Sequence, residues 1–387
     1  MATTDTMTRA GASGAITVPP GLAGVIVTNT EIGDVRGDEG FYHYRGHSAV
    51  ELARHHGFEE VAHLLIVGHL PDAAELAAFR ARLAGHRALP SAVAELLPAI
   101  CRTTSDSLQI LRSALSLWGG ATGQRPLFDA GEDERLATAL AAVAVTPTIL
   151  AAAHRLGRGL EPIAPDPSLG HAEDYLRMVS GERPASQDVR AIETYLVSTM
   201  DHGFNASTFT ARVVASTGAD LAACLVAAIG SFSGPKHGGA PSRALEALEE
   251  IGTPDRADAW VRDRITKGEL IMGFGHPVYR TRDPRSEMLR DIARGYDDPL
   301  VDFATQVEDT FERVLAELKP GRQLHANVEF YAGVVMRLAG LAPDLFTPTF
   351  CVARVVGWVA NVLEQSHDPK LIRPSARYVG QLAARAG

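Results

Sequence analysis

The chain has 387 residues, 46% of them hydrophobic, enough for two domains of ordinary size with sizeable cores. A net charge of −9 argues against a nucleic-acid partner and requires any anionic ligand to be met by a local cationic pocket. Cys101, Cys224 and Cys351 are scattered, with neither zinc nor disulfide spacing, and read as small buried residues of a reduced, cytoplasmic protein.

In chain order, the opening stretch mixes Thr, Gly, Asp and Pro without an apolar run and reads as a frayed tail rather than a signal peptide. Strand signals follow at residues 24–28 and at Phe41-Tyr42-His43-Tyr44, on either side of a polar turn at residues 36–40, which predicts a small N-terminal hairpin. His43 and His47 are four apart, but Gly46 and the strand pattern argue against helical metal ligation. Helical periodicity then dominates. Val50, Leu52, Ala53, Val61, Leu64 and Leu65 line apolar faces, with Gly57 and Gly68 as breakers. The Ala-rich stretch at residues 132–156 predicts a helix interrupted at Pro147. Its apolar part, residues 138–153, is too short to span a bilayer, so no membrane association is expected. Pro- and Gly-bearing breaks at residues 157–170 and 181–186 separate further helices. The expected class is all-α with a small N-terminal β-hairpin.

Polar clusters sit in the loops. Asp201-His202-Gly203-Phe204-Asn205-Ala206-Ser207-Thr208 precedes a helix, where a lone histidine is usually structural. In Ser233-Gly234-Pro235-Lys236-His237-Gly238-Gly239-Ala240-Pro241, Pro241 suits the first turn of a helix and places His237 just before its positive end. A neutral histidine there can donate a hydrogen bond to a developing enolate oxygen; a capping turn is the bland alternative. The run Gly273-Phe274-Gly275-His276-Pro277-Val278-Tyr279-Arg280-Thr281-Arg282-Asp283-Pro284-Arg285 combines an imidazole and three guanidiniums in a segment too broken for core helix. Arginine grips carboxylates and phosphates through paired hydrogen bonds, so a small anionic substrate is the first hypothesis. Glu329 interrupts the apolar run Asn327-Val328-Glu329-Phe330-Tyr331-Ala332; it suits either a general base of raised pKa or a simple helix-start acid. Arg354 lies in a near-continuous apolar helix, where an arginine is rarely buried without an anionic partner. Arg373 is held extended by Pro374. Structural salt bridges could account for either arginine.

Taken together and in this order, these segments resemble the citrate synthase family, which includes 2-methylcitrate synthases, and Tyr44-Arg45-Gly46 extends the likeness towards the N-terminus. The resemblance implies a two-domain helical fold, with a large domain at residues 1–231 plus 335–387 and a small mobile domain at 232–334. It implies a homodimer and a Claisen condensation of acetyl-CoA with oxaloacetate to citrate and CoA through an enol(ate), an acyltransferase reaction with no tightly bound cofactor, CoA thioester as co-substrate and no metal. By resemblance, His237 polarises the thioester carbonyl and Glu329 removes the methyl proton. His276 bonds the oxaloacetate ketone oxygen. His202, Arg285, Arg354 and Arg373 hold oxaloacetate, with Arg373 contributed by the partner subunit. Arg280 and Arg322 meet CoA phosphates, and Met272, Gly273 and Gly275 approach the adenine.

The chain departs from the family pattern at several positions. Glu329 stands where Asp is usual, Pro241 where Asn is common, Ser375 where a second Arg is common, and Thr199 where His is frequent. Those changes, with His-Pro-Val-Tyr at 276–279 and Arg-Pro-Ser-Ala at 373–376, keep 2-methylcitrate synthesis from propionyl-CoA as a rival reading. A non-catalytic oxaloacetate- or CoA-binding dimer is the rival from another class.

Overall fold

The computed structural model describes residues 16–381 apart from 236, 239, 276–278 and 280, with side chains left undescribed at 240–243. Two expected site residues, His276 and Arg280, therefore lie outside the described residues, as does most of the expected frayed tail.

The polar turn at residues 37–40 pairs the residues that directly flank it. Strand β1 (Gly33–Arg36) runs antiparallel to β2 (Phe41–Tyr44), with Gly33 opposite Tyr44 and Arg36 opposite Phe41. Strand β3 (His47–Ser48) adds to the far edge of β2. The strand expected at residues 24–28 does not form, because the turn fixes a register that uses residues 33–36 instead.

The rest is helical: α1 (Ala49–His55), α2 (Phe58–Val67), α3 (Ala73–Gly85), α4 (Ser91–Cys101), α5 (Ser107–Ala121), α6 (Glu132–Gly157), α7 (His171–Ser180) and α8 (Ser186–Thr199), then α9 (Ala206–Ala215), α10 (Leu221–Phe232), α11 (Ala240–Ile251) and α12 (Pro254–Lys267), and finally α13 (Pro284–Ala293), α14 (Pro299–Leu318), α15 (Val328–Leu338) and α16 (Phe346–Ser366). The all-α expectation holds. Helix α6 is not interrupted at Pro147, contrary to expectation. Every residue from Ala142 to His154 is buried, so packing on both sides outweighs the one backbone bond that proline removes. The Thr146 hydroxyl, next to the proline, donates to the Ala142 carbonyl at 2.7 Å.

Helix α16 is the axis of the larger group. It packs on α2, α6, α8, α9 and α10, and is buried along nearly its whole length. Contrary to the expectation from residues 138–153, α6 is long and apolar enough to cross a membrane, as is α16; both are mostly buried inside the protein. Helices α11 to α15 form a second group, with α12 on α14 and α15 against α11 and α13. The two groups meet where α13 and α15 touch α8 and α11 touches α16.

Candidate active site

Loops at the junction of the two groups carry the polar residues. The segment at 272–275 is clipped to the start of α15. Phe274 bridges Ala326, Gly275 N–H donates to the His325 carbonyl (2.8 Å), and Asn327 N–H donates to the Gly273 carbonyl (2.9 Å). The Asn327 side chain completes the clip, donating to the Gly275 carbonyl (2.8 Å) and accepting from Glu329 N–H (3.0 Å). One side chain thus caps α15 and sets Glu329 against the glycine loop. The glycines are required. Gly273 and Gly275 have φ of +89° and +83°, and an added Cβ would meet Phe330 at 3.1 Å and Leu324 at 3.2 Å respectively.

Glu329 is half-buried. Desolvation pushes its carboxyl up to about 8, with Arg285 and Arg354 opposing and Asp283 adding to the rise. Its charge also bears on the buried Tyr195 phenol of α8.

Asp283 is the hub behind it. It caps α13, receives Val328 N–H at the start of α15 (3.0 Å), and holds Arg285 through Nε (3.0 Å) and Nη2 (2.8 Å). Arg285 is fully buried, with its guanidinium 5.8 Å and 5.7 Å from the Tyr42 and Tyr279 ring centres. Tyr279 in turn shares a 2.9 Å hydrogen bond with His202 Nε2, and the His202 ring lies 5.5 Å from that of Tyr42. The N-terminal sheet, the loop before α9 and the loop before α13 thus converge on one arginine. Arg282, counted among three anion-gripping guanidiniums, is instead engaged by Glu308 and Glu312.

Arg354 projects from α16, buried, and donates to the Thr199 carbonyl (3.0 Å) with Phe350 under its guanidinium at 4.7 Å. Contrary to the expected anionic partner, it forms no ion pair among the described residues. Burial lowers its pKa, and the neighbouring Asp201 opposes that shift without reaching contact distance. A buried guanidinium with spare donors favours a ligand carboxylate.

His237 lies before α11, beside Ser207 of α9 and Phe232 of α10. Ser207 Oγ is 2.8 Å from its Nε2, and Ser207 N–H points at the same nitrogen at 3.4 Å. Trp358 of α16 donates to Ser207 Oγ at 3.1 Å. With Nε2 accepting, the network assigns the ring proton to Nδ1. Burial, assisted by the charge of Arg354, holds His237 down at about 4, so it is neutral at ordinary pH.

Arg354 thus bears on both His237 and Glu329, and Arg285 on Glu329 and Arg354, with His202 joined to Arg285 through Tyr279 and Tyr42. Arg322 is exposed, Met272 is half-buried in the clipped loop, and Arg373 lies exposed on the segment after α16. Within one chain Arg373 does not join this cluster. Sequence reasoning did not single out Asp283, Tyr279 or Ser207 individually, although each lies inside a motif it marked; aspartate directly before a proline-led helix was the available signal for Asp283.

A family model described as "Citrate synthase, C-terminal domain" matches residues 21–375. A citrate synthase of Deinococcus radiodurans is 36% identical over 364 residues, covering 94% of this chain and 96% of that protein. A 2-methylcitrate synthase of Mycobacterium tuberculosis is 37% identical over 367 residues, covering 94% and 91%. The solved citrate synthase of the thermophilic archaeon Thermoplasma acidophilum, in a ternary complex with carboxymethyl coenzyme A and oxaloacetate, superposes with a TM-score of 0.85 at 26% identity, covering 94% of this chain and 96% of that one.

Proposed function

The chain belongs to the citrate synthase family of acyltransferases, and on that premise we propose that it condenses acetyl-CoA with oxaloacetate to give citrate and CoA. What supports this reading is that a neutral His237 and a carboxyl of raised pKa, Glu329, each feel the charge of the same buried Arg354.

In the proposed sequence, oxaloacetate binds first, its carboxylates held by Arg285 and Arg354, with His202 beside them and Arg373 supplied by the partner subunit of a homodimer. Those guanidinium charges favour the ionised form of Glu329, which then takes a proton from the thioester methyl. His237 Nδ1–H donates to the thioester oxygen as it gains enolate charge, which its neutrality permits without transferring a full proton. The enol(ate) carbon attacks the oxaloacetate ketone carbon, whose oxygen is protonated with assistance from His276, and hydrolysis of the citryl thioester releases CoA. A base and a donor of this kind each contribute roughly 10²–10⁴ in rate. Residues 232–334 act as the mobile lobe that closes over oxaloacetate and excludes water. Met272, Gly273, Gly275, Arg280 and Arg322 are the proposed CoA contacts, and the protein works in the cytoplasm.

The test is oxaloacetate-dependent release of CoA thiol from acetyl-CoA. Release with neither acetyl- nor propionyl-CoA would eliminate catalysis and leave a binding dimer. The comparable identity to a 2-methylcitrate synthase supports a second reading, in which propionyl-CoA is the better substrate. One methylene is worth about 1–3 kcal/mol, so kcat/KM for the two thioesters decides between them.

A further inference from the structure

We propose that His63, His69 and Glu75 form a binding site for one late first-row divalent cation, of the zinc, nickel or copper class, at the corner between α2 and α3. One ligand atom from each side chain lies within 4.8 Å of the others, and this is the one trio of such groups among the described residues. Imidazole nitrogens with a carboxylate suit these metals, whereas calcium and magnesium prefer all-oxygen sites. His69 Nε2 and Glu75 Oε1 are already 3.0 Å apart. A metal about 2.1 Å from each ligand sets tetrahedral neighbours roughly 3.4 Å apart. The remaining approach is a rotation within reach of His69 and Glu75, both of which are exposed.

His63 is the anchor. It is buried in α2, its ring edge-on to Phe79 at 5.2 Å, and its Nδ1 bonds the His69 carbonyl oxygen at 2.8 Å. With Nδ1 donating to that carbonyl, the neutral ring carries its lone pair on Nε2. A backbone carbonyl on the second ring nitrogen is the support that metal-bound histidines usually have. The ordinary reading of Glu75 is a capping box with Asp72, but that uses Oε2 (2.9 Å to Asp72 N–H) and leaves Oε1 facing His69. Spacings of six residues match no helical ligand pattern. Only the turn at Gly68 (φ +114°), which ends α2, brings the three together. The condensation does not use this site. Its effect is a clip between the end of α2 and the start of α3.

The experiment uses the full-length, tag-free chain freed of metal with a chelator. Zinc chloride is titrated by calorimetry, thermal melts are run with and without zinc, and cobalt is added as an absorbing probe. The expected result is a single equivalent bound with Kd on the order of micromolar, a raised Tm, and cobalt bands of a low-symmetry site. His69→Ala and Glu75→Gln should each weaken binding by more than the roughly 10–100-fold that an outer contact costs. Their metal-free Tm and CoA-release activity should stay near wild type. No single-equivalent site in the wild type, or unchanged affinity in both variants, overturns the proposal.

Discussion

Lengthening an acid by one methylene moves its oxygens by roughly 1.5 Å, and misplacement on that scale can cost about 10²-fold in rate. Asn327 and the glycine loop fix the backbone of Glu329, so a shorter acid at this position withdraws its carboxylate rather than shifting the helix start. Glu329→Asp is therefore expected to lower kcat by about 10², and Glu329→Gln by up to about 10⁴, measured as CoA thiol release. The acid–base consequences have opposite signs. Glu329 rises from 4.5 to about 8, so the native state holds its proton longer and stability falls as pH climbs through that window. His237 drops from 6.5 to about 4, so the unfolded state binds the extra proton and stability is lost as pH falls across that range. Urea titrations at stepped pH check both: Glu329→Gln should flatten the alkaline slope and His237→Gln the acid one. In turnover, kcat/KM should increase towards pH 8 as the base of the free enzyme ionises, and Glu329→Gln should remove that limb.

At the level of elements, two helix starts set the chemistry. Asn205 caps α9 through Ser207 N–H (3.2 Å) and Thr208 N–H (3.1 Å) and also touches Ser207 Oγ (2.8 Å), the group beside His237. Asn205→Ala should cost about 0.5–2 kcal/mol in thermal or urea unfolding and lower kcat more than it raises KM. Gly275→Ala combines a left-handed backbone with a close Leu324, and a destabilisation of about 1–3 kcal/mol is expected in the same assay. Much of this was legible beforehand. Asparagine, aspartate and proline mark the starts of α9, α13 and α15, and glycines mark the ends of α2 and α7. What misled were local cues overruled by packing: residues 24–28 have strand propensity but no partner, and Pro147 sits where burial on all sides sustains α6.

On the scale of the whole molecule, the cradle is assembled from distant sequence. Tyr42, His202, Arg285 and Arg354 come from the sheet, a loop and two helices, and local periodicity does not report such pairings. Their order along the chain reported them through resemblance instead. Arg373 remained a matter of resemblance, because the segment after α16 is exposed and its Ile372 N–H rests on Ser216 Oγ at 3.1 Å. If a second subunit receives that arginine, Arg373→Gln should raise the KM for oxaloacetate by about 10-fold or more with Tm unchanged, since a charge-assisted bond is worth about 1.5–3 kcal/mol. Sedimentation should give a dimer in both proteins.

The clip between residues 273–275 and 325–327 opens and closes as one unit. The amides of Gly275, Asn327 and Glu329 share a single latch, so deuterium should enter all three at one common rate rather than at three independent ones. If the proposed thioester grips that loop, its nucleotide slows isotope uptake at the Glu329 amide as well, a distant footprint of adenine on the proposed base.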